Sequence, residues 1–375
     1  MNRIPRQVFM LVIPALLFLV PWWLLVFTTT SGAVCWALSA LFVLGYIGLP
    51  LAMFTGHGPK QSDTAALIGD TALGVMWVLF SWSVIGTVVR TGLIIAGVDD
   101  PARSLIVALG VLAISAALTV WGIYEARRIP RVKTVEVTIP KLAPGLDGLR
   151  MVVITDTHYA ATDRLRWSER VVEIVNEQRP DIACHAGDLA DGSVVKRRAQ
   201  VDPLGKVQAE LGRFYITGNH EYFGDAAGWI EHMAGLGWQP MHNQHEVLTR
   251  DGDRLIMAGI DDPTGVSLPG HGPDLPAALS GADPDLPVIL LAHQPKQITD
   301  AVKAGVALQI SGHTHGGQIW PFRYLVRLDQ PVVAGLSRHG DTQLYTSRGT
   351  GFWGPQLRVF APSEITVLIL RSPQQ

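Results

Sequence analysis

Four apolar stretches in the first third of the chain constrain its fold more than any other feature. They cover residues 8–27, 32–54, 65–89 and 104–124, and each has about the 20 residues that a helix needs to cross a bilayer. Backbone polar groups need partners within the lipid, so each stretch is expected to be helical. The sequence therefore predicts an N-terminal transmembrane domain of about four helices over residues 1–126.

The rest of the chain has the composition of a soluble domain. Residues 1–133 contain nine Lys/Arg and five Asp/Glu, whereas residues 134–375 contain 21 and 27. This acidic part lacks the basic footprint of a nucleic-acid-binding protein, so we expect no nucleic-acid partner. The basic, proline-containing stretch RRIPRVKT at 127–134 is interpreted as a linker, and residues 135–375 as the soluble domain. With two cysteines in the chain, neither a disulfide framework nor a thiolate metal site is expected.

The positions of lysine and arginine near the ends of the spans predict the orientation in the membrane. One set of ends carries Arg3, Arg6, Lys60, Arg127, Arg128, Arg131 and Lys133, and the other carries Arg90 and Arg103. Basic residues flanking spans accumulate on the cytoplasmic side. We therefore expect a multi-pass protein of the cell (inner) membrane with both termini and the soluble domain in the cytoplasm.

The third apolar stretch contains one carboxyl group, Asp70. An ionisable residue inside a span is by default a candidate functional site. No second ionisable residue lies well inside any span, and this favours a neutral, packed or interface-near Asp70 over part of a transport relay.

Beyond residue 134, short apolar runs alternate with amphipathic segments. The apolar runs are RMVVITD, DIACHAGD, RFYITGNH, PVILLAH and VALQISGH, and the segments with helical spacing are DRLRWSERVVEIVNEQ and AAGWIEHMAGLG. This pattern predicts an α/β domain whose sheet is covered by helices. The C-terminal runs TQLYTSRGTGFWG and LRVFAPSEITVLILR predict a second sheet packed on the first, and residues 261–287 are interpreted as a loop.

Each of the five predicted strands ends in residues that can ligate a metal or move a proton. The motifs are DTH (Asp156, His158), GDLAD (Asp188, Asp191), GNHE (Asn219, His220), AHQP (His293) and GHTH (His313, His315). Open α/β sheets bind ligands at the carboxyl ends of their strands. Each motif alone could be a turn or a core histidine, but all five together favour one common site.

The order D-x-H, G-D-x-x-D, G-N-H-[DE], H and G-H-x-H resembles the calcineurin-like metallophosphoesterase superfamily over about residues 148–318. The longer stretches SGHTHGGQIW and SRGTGFWGP resemble its bacterial membrane-associated branch. The resemblance implies two packed β-sheets flanked by helices and two divalent metal ions per chain. A pair of such ions can activate a bridging hydroxide and neutralise phosphoryl oxygens.

The resemblance also implies a role for each ligand. Asp156, His158 and His315 would hold one metal, Asn219, His293 and His313 the other, and Asp188 would bridge them. Histidines combined with carboxylates suit Mn, Fe or Zn better than Mg or Ca.

Further roles follow from the same motifs. His220 matches the non-ligand histidine near the leaving-group oxygen, and Asp191 matches the carboxylate that orients it. Glu221 is interpreted as a support for the turn. Phosphoprotein phosphatases have arginine directly after G-D-x-x-D, where this chain has Gly192. Arg348 is a candidate substitute that would bind the substrate phosphate, or a surface arginine near a turn.

Together these features predict a membrane-anchored, metal-dependent phosphoric ester hydrolase of the phosphodiesterase or pyrophosphohydrolase type. The stretch IWPFRYLVR at 319–327 interleaves aromatic and basic residues, as a rim at the membrane interface or a partly buried loop would. A rim in contact with membrane lipids would suit a lipid-linked substrate. The alternatives are a phosphodiesterase for soluble or cyclic nucleotides, and a catalytically silent metal-dependent sensor or scaffold. No sequence feature indicates an oligomeric state.

Overall fold

The computed structural model describes residues 6–58 and 60–373. Its N-terminal part contains four long helices: α1 (Arg6–Trp22), α2 (Gly32–His57), α3 (Asp63–Ile95) and α4 (Ala102–Arg127). A π-helical turn, Trp23–Phe27, follows α1 directly. By length and composition α2, α3 and α4 can cross a membrane, and Val12–Phe27 is a shorter apolar helical segment. The predicted apolar helices are thus confirmed, while Arg3 of the charge count lies outside the described residues.

Close contacts at small residues join these helices. A Cβ on Gly86 of α3 would lie 2.6 Å from Val111 Cγ2 of α4 and 2.9 Å from Leu24 Cδ2. Small residues at such crossings allow helix backbones to approach within van der Waals contact. Asp70 of α3 is buried, and its carboxylate lies 2.8 Å from His57 Nε2 at the end of α2. It is therefore a packed and partnered carboxyl group.

The chain forms two compact units, and the first contains more than the four helices. It also includes the short segments Ile319–Pro321 and Gly354–Val359. Within this unit the indole N–H of Trp77 donates to the carbonyl of Ile319 at 3.2 Å. The sequence-based division at residue 126 assigned both segments to the soluble domain, because they lie far along the chain from the helices that they contact.

In the residues that the structure describes, the second unit is built on twelve strands. They are β1 (Arg131–Thr138), β2 (Arg150–Ile154), β3 (Ile182–Ala186), β4 (Gly212–Ile216), β5 (Gln239–Pro240), β6 (Gln244–Arg250), β7 (Asp253–Gly259), β8 (Val288–Leu291), β9 (Leu308–Ser311), β10 (Gly335–His339), β11 (Thr342–Thr346) and β12 (Glu364–Arg371). They form two six-stranded sheets, ordered β1-β12-β2-β3-β4-β5 and β10-β11-β9-β8-β7-β6.

Seven α-helices in the described part of the chain accompany the sheets. They are α5 (Leu165–Glu177), α6 (Val194–Val201), α7 (Asn219–Phe223), α8 (Ala226–Gly235), α9 (Leu275–Ala278), α10 (Ile298–Lys303) and α11 (Arg323–Val326). Helix α9 and a 3-10 turn, Pro263–Ser267, lie within the predicted loop 261–287.

Alternation along the central strands divides their side chains between two cores. Cys184 of β3 belongs to the cluster between the sheets with Met257 and Ile310, whereas its neighbour Ala183 packs in a second cluster with Val171 of α5. Successive strand residues point to opposite faces, so a strand buried on both faces reads as a continuous apolar run. The predicted architecture of two sheets flanked by helices is confirmed.

The ends of the second unit differ in detail from the sequence-based expectation. Strand β11 joins the second sheet as predicted, but β12 lies in the first sheet, parallel to β1 and antiparallel to β2. Residues 131–134 of the expected linker pair with β12 as part of β1, because strand pairing continues almost to the end of α4. The connection between α4 and β1 is therefore residues 128–130.

Candidate metal centre and active site

The five motifs follow strands whose carboxyl ends meet. Strands β2, β3 and β4 are parallel neighbours in one sheet, and β8 and β9 are parallel neighbours in the other. Parallel strands deliver the residues that follow them to a single edge of a sheet. The structure accordingly brings all seven predicted ligands together, along with His220 and Asp191.

The first group of donor atoms comes from Asp156, His158 and His315. The Nε2 atoms of the two histidines are 3.0 Å apart, and His315 Nε2 lies 3.5 Å from Asp156 Oδ1. All three residues are buried. His158 donates from Nδ1 to Asp191 Oδ1 at 3.0 Å, which leaves a lone pair on Nε2 to face the group.

The second group comes from Asp188, His293 and His313, with Asn219 beside them. His293 Nε2 lies 3.1 Å from Asp188 Oδ2, and His313 Nδ1 lies 2.9 Å from Asn219 Oδ1. His293 donates from Nδ1 to the carbonyl of Ala186 at 2.8 Å. A carbonyl only accepts hydrogen bonds, so this contact fixes the tautomer and leaves Nε2 as a potential ligand.

Asp188 lies between the two groups. Its Oδ2 atom is 3.1 Å from His293 Nε2 in one group and 3.6 Å from His158 Nε2 in the other. Its Oδ1 atom accepts the backbone N–H of His220 at 2.9 Å, which orients the carboxylate. This is the geometry that a shared ligand requires. The individual ligand roles remain predictions.

The backbone at the centre is held in an uncommon conformation. Five of the seven predicted ligands have positive φ: Asp156 at 52°, His158 at 43°, Asp188 at 52°, His313 at 69° and His315 at 50°. Such residues cost on the order of 1–3 kcal/mol each and cluster at functional sites, where surrounding contacts hold them in place. Gly218 lies against one of these residues so closely that a Cβ on it would overlap the Asp188 carboxylate.

The residues fit divalent cations. Asp156 Oδ2 and His293 Nε2 are buried, and neither has a hydrogen-bond partner among the described residues. Burial raises the pKa of Asp156, since a charged carboxylate is costly away from water without a compensating cation. A cation held by these nitrogen and oxygen atoms would satisfy both unpartnered atoms and offset the buried negative charge.

His220 and Asp191 form a hydrogen-bonded pair beside the centre. His220 Nδ1 donates to Asp191 Oδ1 at 2.7 Å, and the same oxygen accepts from His158 Nδ1. Burial opposes the charged imidazolium of His220, but the carboxylates of Asp188 and Asp191 raise its pKa to about 9. Burial also opposes ionisation of Asp191, yet His158 and His220 hold its pKa well below the usual range. His220 can therefore carry a proton at neutral pH.

Glu221 joins two of the motif loops. Its carboxylate accepts backbone N–H groups from Gly218 at 2.6 Å, Asp188 at 3.1 Å, Leu189 at 2.8 Å and Ala190 at 3.3 Å. Burial, together with the charge of Asp188, raises the pKa of Glu221 to about 7, although these N–H groups act in the opposite direction. The predicted supporting role agrees with these contacts.

Two aromatic residues beside His220 were not predicted. The ring of Phe223 lies 5.4 Å from the His220 ring, and that of Trp353 lies 6.2 Å from it, between centroids. Phe223 is 67% exposed and Trp353 is 42% exposed. Phe223 follows His220 by three residues in α7, a spacing that could have identified it. Trp353 lies in the SRGTGFWGP stretch, far from His220 along the chain, so no local sequence pattern indicates that the two rings are neighbours.

Arg348 lies beside the GHTH motif. A Cβ built on Gly316 would be 3.0 Å from Arg348 Cγ, so the stem of the arginine packs against the residue after His315. The side chain is half-buried. Its proposed contact with substrate phosphate remains a prediction.

Comparison with known proteins agrees with this arrangement. The family model for calcineurin-like phosphoesterase matches residues 149–317. A transmembrane protein with metallophosphoesterase domain from Danio rerio is 35% identical over 353 residues, which are 90% of this chain and 80% of that protein. An uncharacterized metallophosphoesterase of Campylobacter jejuni is 32% identical over 341 residues, 89% of each chain. Among solved structures, a dimetal phosphatase from Danio rerio has a TM-score of 0.36 and 14% identity over 54% of this chain and 88% of that one. Two long alignments that extend beyond the motifs, with the family's motif residues gathered at one site, establish that this chain belongs to the calcineurin-like metallophosphoesterases.

Proposed function

We propose that this protein is a membrane-anchored phosphoesterase that uses two divalent cations to hydrolyse a phosphodiester or pyrophosphate bond. The observation that carries the proposal is the position of Asp188 Oδ2, within 3.6 Å of a histidine nitrogen from each donor group. One set of ligands would be Asp156, His158 and His315, the other Asn219, His293 and His313, with Asp188 shared. When bound, the cations, of Mn, Fe or Zn type, would activate the attacking water and offset phosphoryl charge.

The chain itself would supply the proton for the leaving group. Nδ1 of His220 is occupied by Asp191, so Nε2 is the nitrogen able to donate to a leaving oxygen. Asp191 fixes the orientation of the ring and stabilises its charged form. A scaffold or sensor would not require this pair, which favours turnover over the catalytically silent alternative.

The surroundings of His220 indicate the kind of leaving group. The exposed rings of Phe223 and Trp353 flank the imidazole, so a group that departs there would rest against aromatic surface. Gly192 occupies the place of the phosphate-binding arginine of phosphoprotein phosphatases, which argues against a phosphoprotein substrate. An apolar or lipid-linked leaving group fits the surface formed by these two aromatic rings. Aromatic rings also stack on nucleobases, which keeps soluble nucleotides as the second candidate.

The segment after the last metal motif supports a membrane-proximal substrate. Tyr324 is 55% exposed and Leu328 is 84% exposed, with Arg323 and Arg327 interspersed. Exposed apolar side chains alternating with basic ones suit an anionic membrane surface better than a buried loop. With the seven-to-two bias of basic residues, this favours a catalytic domain at the cytoplasmic face of the cell membrane.

Substrate profiling of the full chain in detergent tests the proposal. Metal-loaded protein would be assayed on lipid-linked diphosphates, soluble nucleotide diesters and phosphomonoesters, with Asp188→Asn as the inactive control. We expect the highest kcat/KM on a lipid-linked diphosphate or diester. A preference for soluble nucleotides would favour the second candidate, and no turnover by metal-loaded protein would favour the sensor.

A further inference from the structure

A second cluster of metal-ligating side chains lies in the second unit, outside the five motifs. It consists of His242 between β5 and β6, Asp261, which is two residues after β7 and begins the loop 261–287, and His271 farther along that loop. Two separate segments thus bring two imidazoles to one carboxylate. The proposed hydrolysis uses none of these groups.

Both imidazoles lie close to the same carboxylate, one near each oxygen. His242 Nδ1 lies 2.7 Å from Asp261 Oδ1, and His271 Nδ1 lies 3.6 Å from Asp261 Oδ2. The two rings are 4.8 Å apart between centroids. Tetrahedral ligands about 2.0–2.2 Å from a zinc-sized ion are about 3.3–3.6 Å from one another, so small side-chain movements would bring these donors to a common ion.

The carboxylate is fixed, while the histidines lie on the solvent side. The Asp261 side chain is 3% exposed, and its Oδ2 atom accepts the backbone N–H of Gly272 at 3.1 Å. Its own backbone N–H donates to Asn243 Oδ1 at 3.2 Å. His242 is exposed and His271 is half-buried, which leaves an approach for an ion and room for water ligands.

We propose that His242, Asp261 and His271 bind a further divalent cation, separate from the metal centre. Two imidazoles and one carboxylate favour borderline metals such as Zn, Co, Ni or Mn over Mg and Ca. The ion would hold His271, within the loop 261–287, close to Asp261 at the start of that loop and to His242 before β6. The loop also reaches α7 through a contact that the ion would leave intact, because a Cβ on Gly265 would lie 2.8 Å from Tyr222 Cζ. Helix α7 begins with Asn219 and His220, so the ion would stabilise the helix that carries these two residues.

The chain offers a matched control. His232 Nε2 pairs with Asp202 Oδ1 at 2.9 Å on the surface, a histidine–carboxylate contact that belongs to none of the candidate metal groups among the described residues. If the cluster around Asp261 were only an ordinary ion pair, it would retain no more zinc than the His232–Asp202 pair. A metal site requires that only the cluster with two histidines retain an ion.

The test counts metal in untagged full-length protein in detergent. Wild type, His242→Ala/His271→Ala and His232→Ala would be stripped with chelator, reloaded with Zn²⁺, passed through a desalting column and measured by elemental analysis. We expect the double variant to hold one equivalent less than wild type, and His232→Ala to match wild type. Equal zinc in wild type and the double variant, or an equal loss in His232→Ala, would overturn the proposal.

Two further measurements separate this site from folding and from the catalytic centre. Zn²⁺ should slow proteolysis within residues 261–287 in wild type and in the control variant His232→Ala, but not in the single variant His271→Ala. Asp188→Asn, in which we expect the catalytic centre to lose its metal, should retain the cluster's single equivalent. An Asp188→Asn protein that is folded but holds no zinc would contradict a separate site.

Discussion

Replacement of His220 by alanine should separate proton donation from metal binding, because the side chain contacts Asp191 through Nδ1 and is not among the predicted ligands. A general acid contributes about 10² to 10⁴ in rate when a poor leaving oxygen must be protonated as its bond breaks. At about 1.4 kcal/mol per tenfold, this corresponds to about 3–5 kcal/mol of transition-state stabilisation. An aryl oxide of low pKa leaves without that help.

The assay is the ratio of kcat/KM for alkyl and activated nitrophenyl phosphodiesters, with metal content measured in each protein. His220→Ala should retain its metals, lose at least two orders of magnitude on alkyl esters, and lose much less on nitrophenyl esters. Although burial opposes the charged ring, the carboxylates of Asp188 and Asp191 raise the pKa of His220, which favours the protonated imidazole that a general acid requires. Equal losses on both esters with metals intact would mean that His220 acts by stabilising charge or binding phosphate.

Asp191→Asn provides a graded comparison. The carboxylate oxygen serves His158 as well as His220, so the amide should weaken both the orientation of the acid and the binding of one metal. We expect the same selectivity for alkyl esters, in milder form, together with a lower metal affinity. An Asp191→Asn protein with unchanged metal affinity would show that the contact with His158 contributes nothing to ligation.

The remaining predictions concern the bridging carboxylate, its support, the phosphate contact and the topology. Asp188→Asn should abolish activity and lose metal by elemental analysis; a folded variant that still held both catalytic metals would disprove the shared ligand. Glu221→Gln should destabilise the fold by about 1–3 kcal/mol in thermal unfolding, since an amide nitrogen cannot accept the N–H groups that one carboxylate oxygen now accepts; an unchanged Tm would contradict this. Arg348→Ala should raise KM at least tenfold with partial rescue by lysine, whereas an unchanged KM would identify a surface arginine. Reporters fused in the connection 96–101 should behave as external and those at the C-terminus as cytoplasmic, and the reverse pattern would refute the charge-bias assignment.

Local patterns in the sequence were sufficient to predict the main elements and the motif residues. Span length predicted the four N-terminal helices, and continuous apolar runs predicted the buried strands β2, β3, β4, β8 and β9. Each run ends in a polar motif, and parallel strands collect such ends at one edge. That the motif residues would meet at one place was therefore predictable without coordinates, while their individual roles stay predictions.

Other features depended on the tertiary structure, because they join residues with no local relation in the chain. The position of β12 between β1 and β2 depends on pairing across more than 200 residues, which alternation within one strand cannot encode. The same holds for the ring of Trp353 beside His220, for the single Asp191 oxygen shared by two histidines, and for the cluster around Asp261. Periodicity specifies which face of an element is buried, whereas side-chain contacts between distant segments are decided only when the sheets pack.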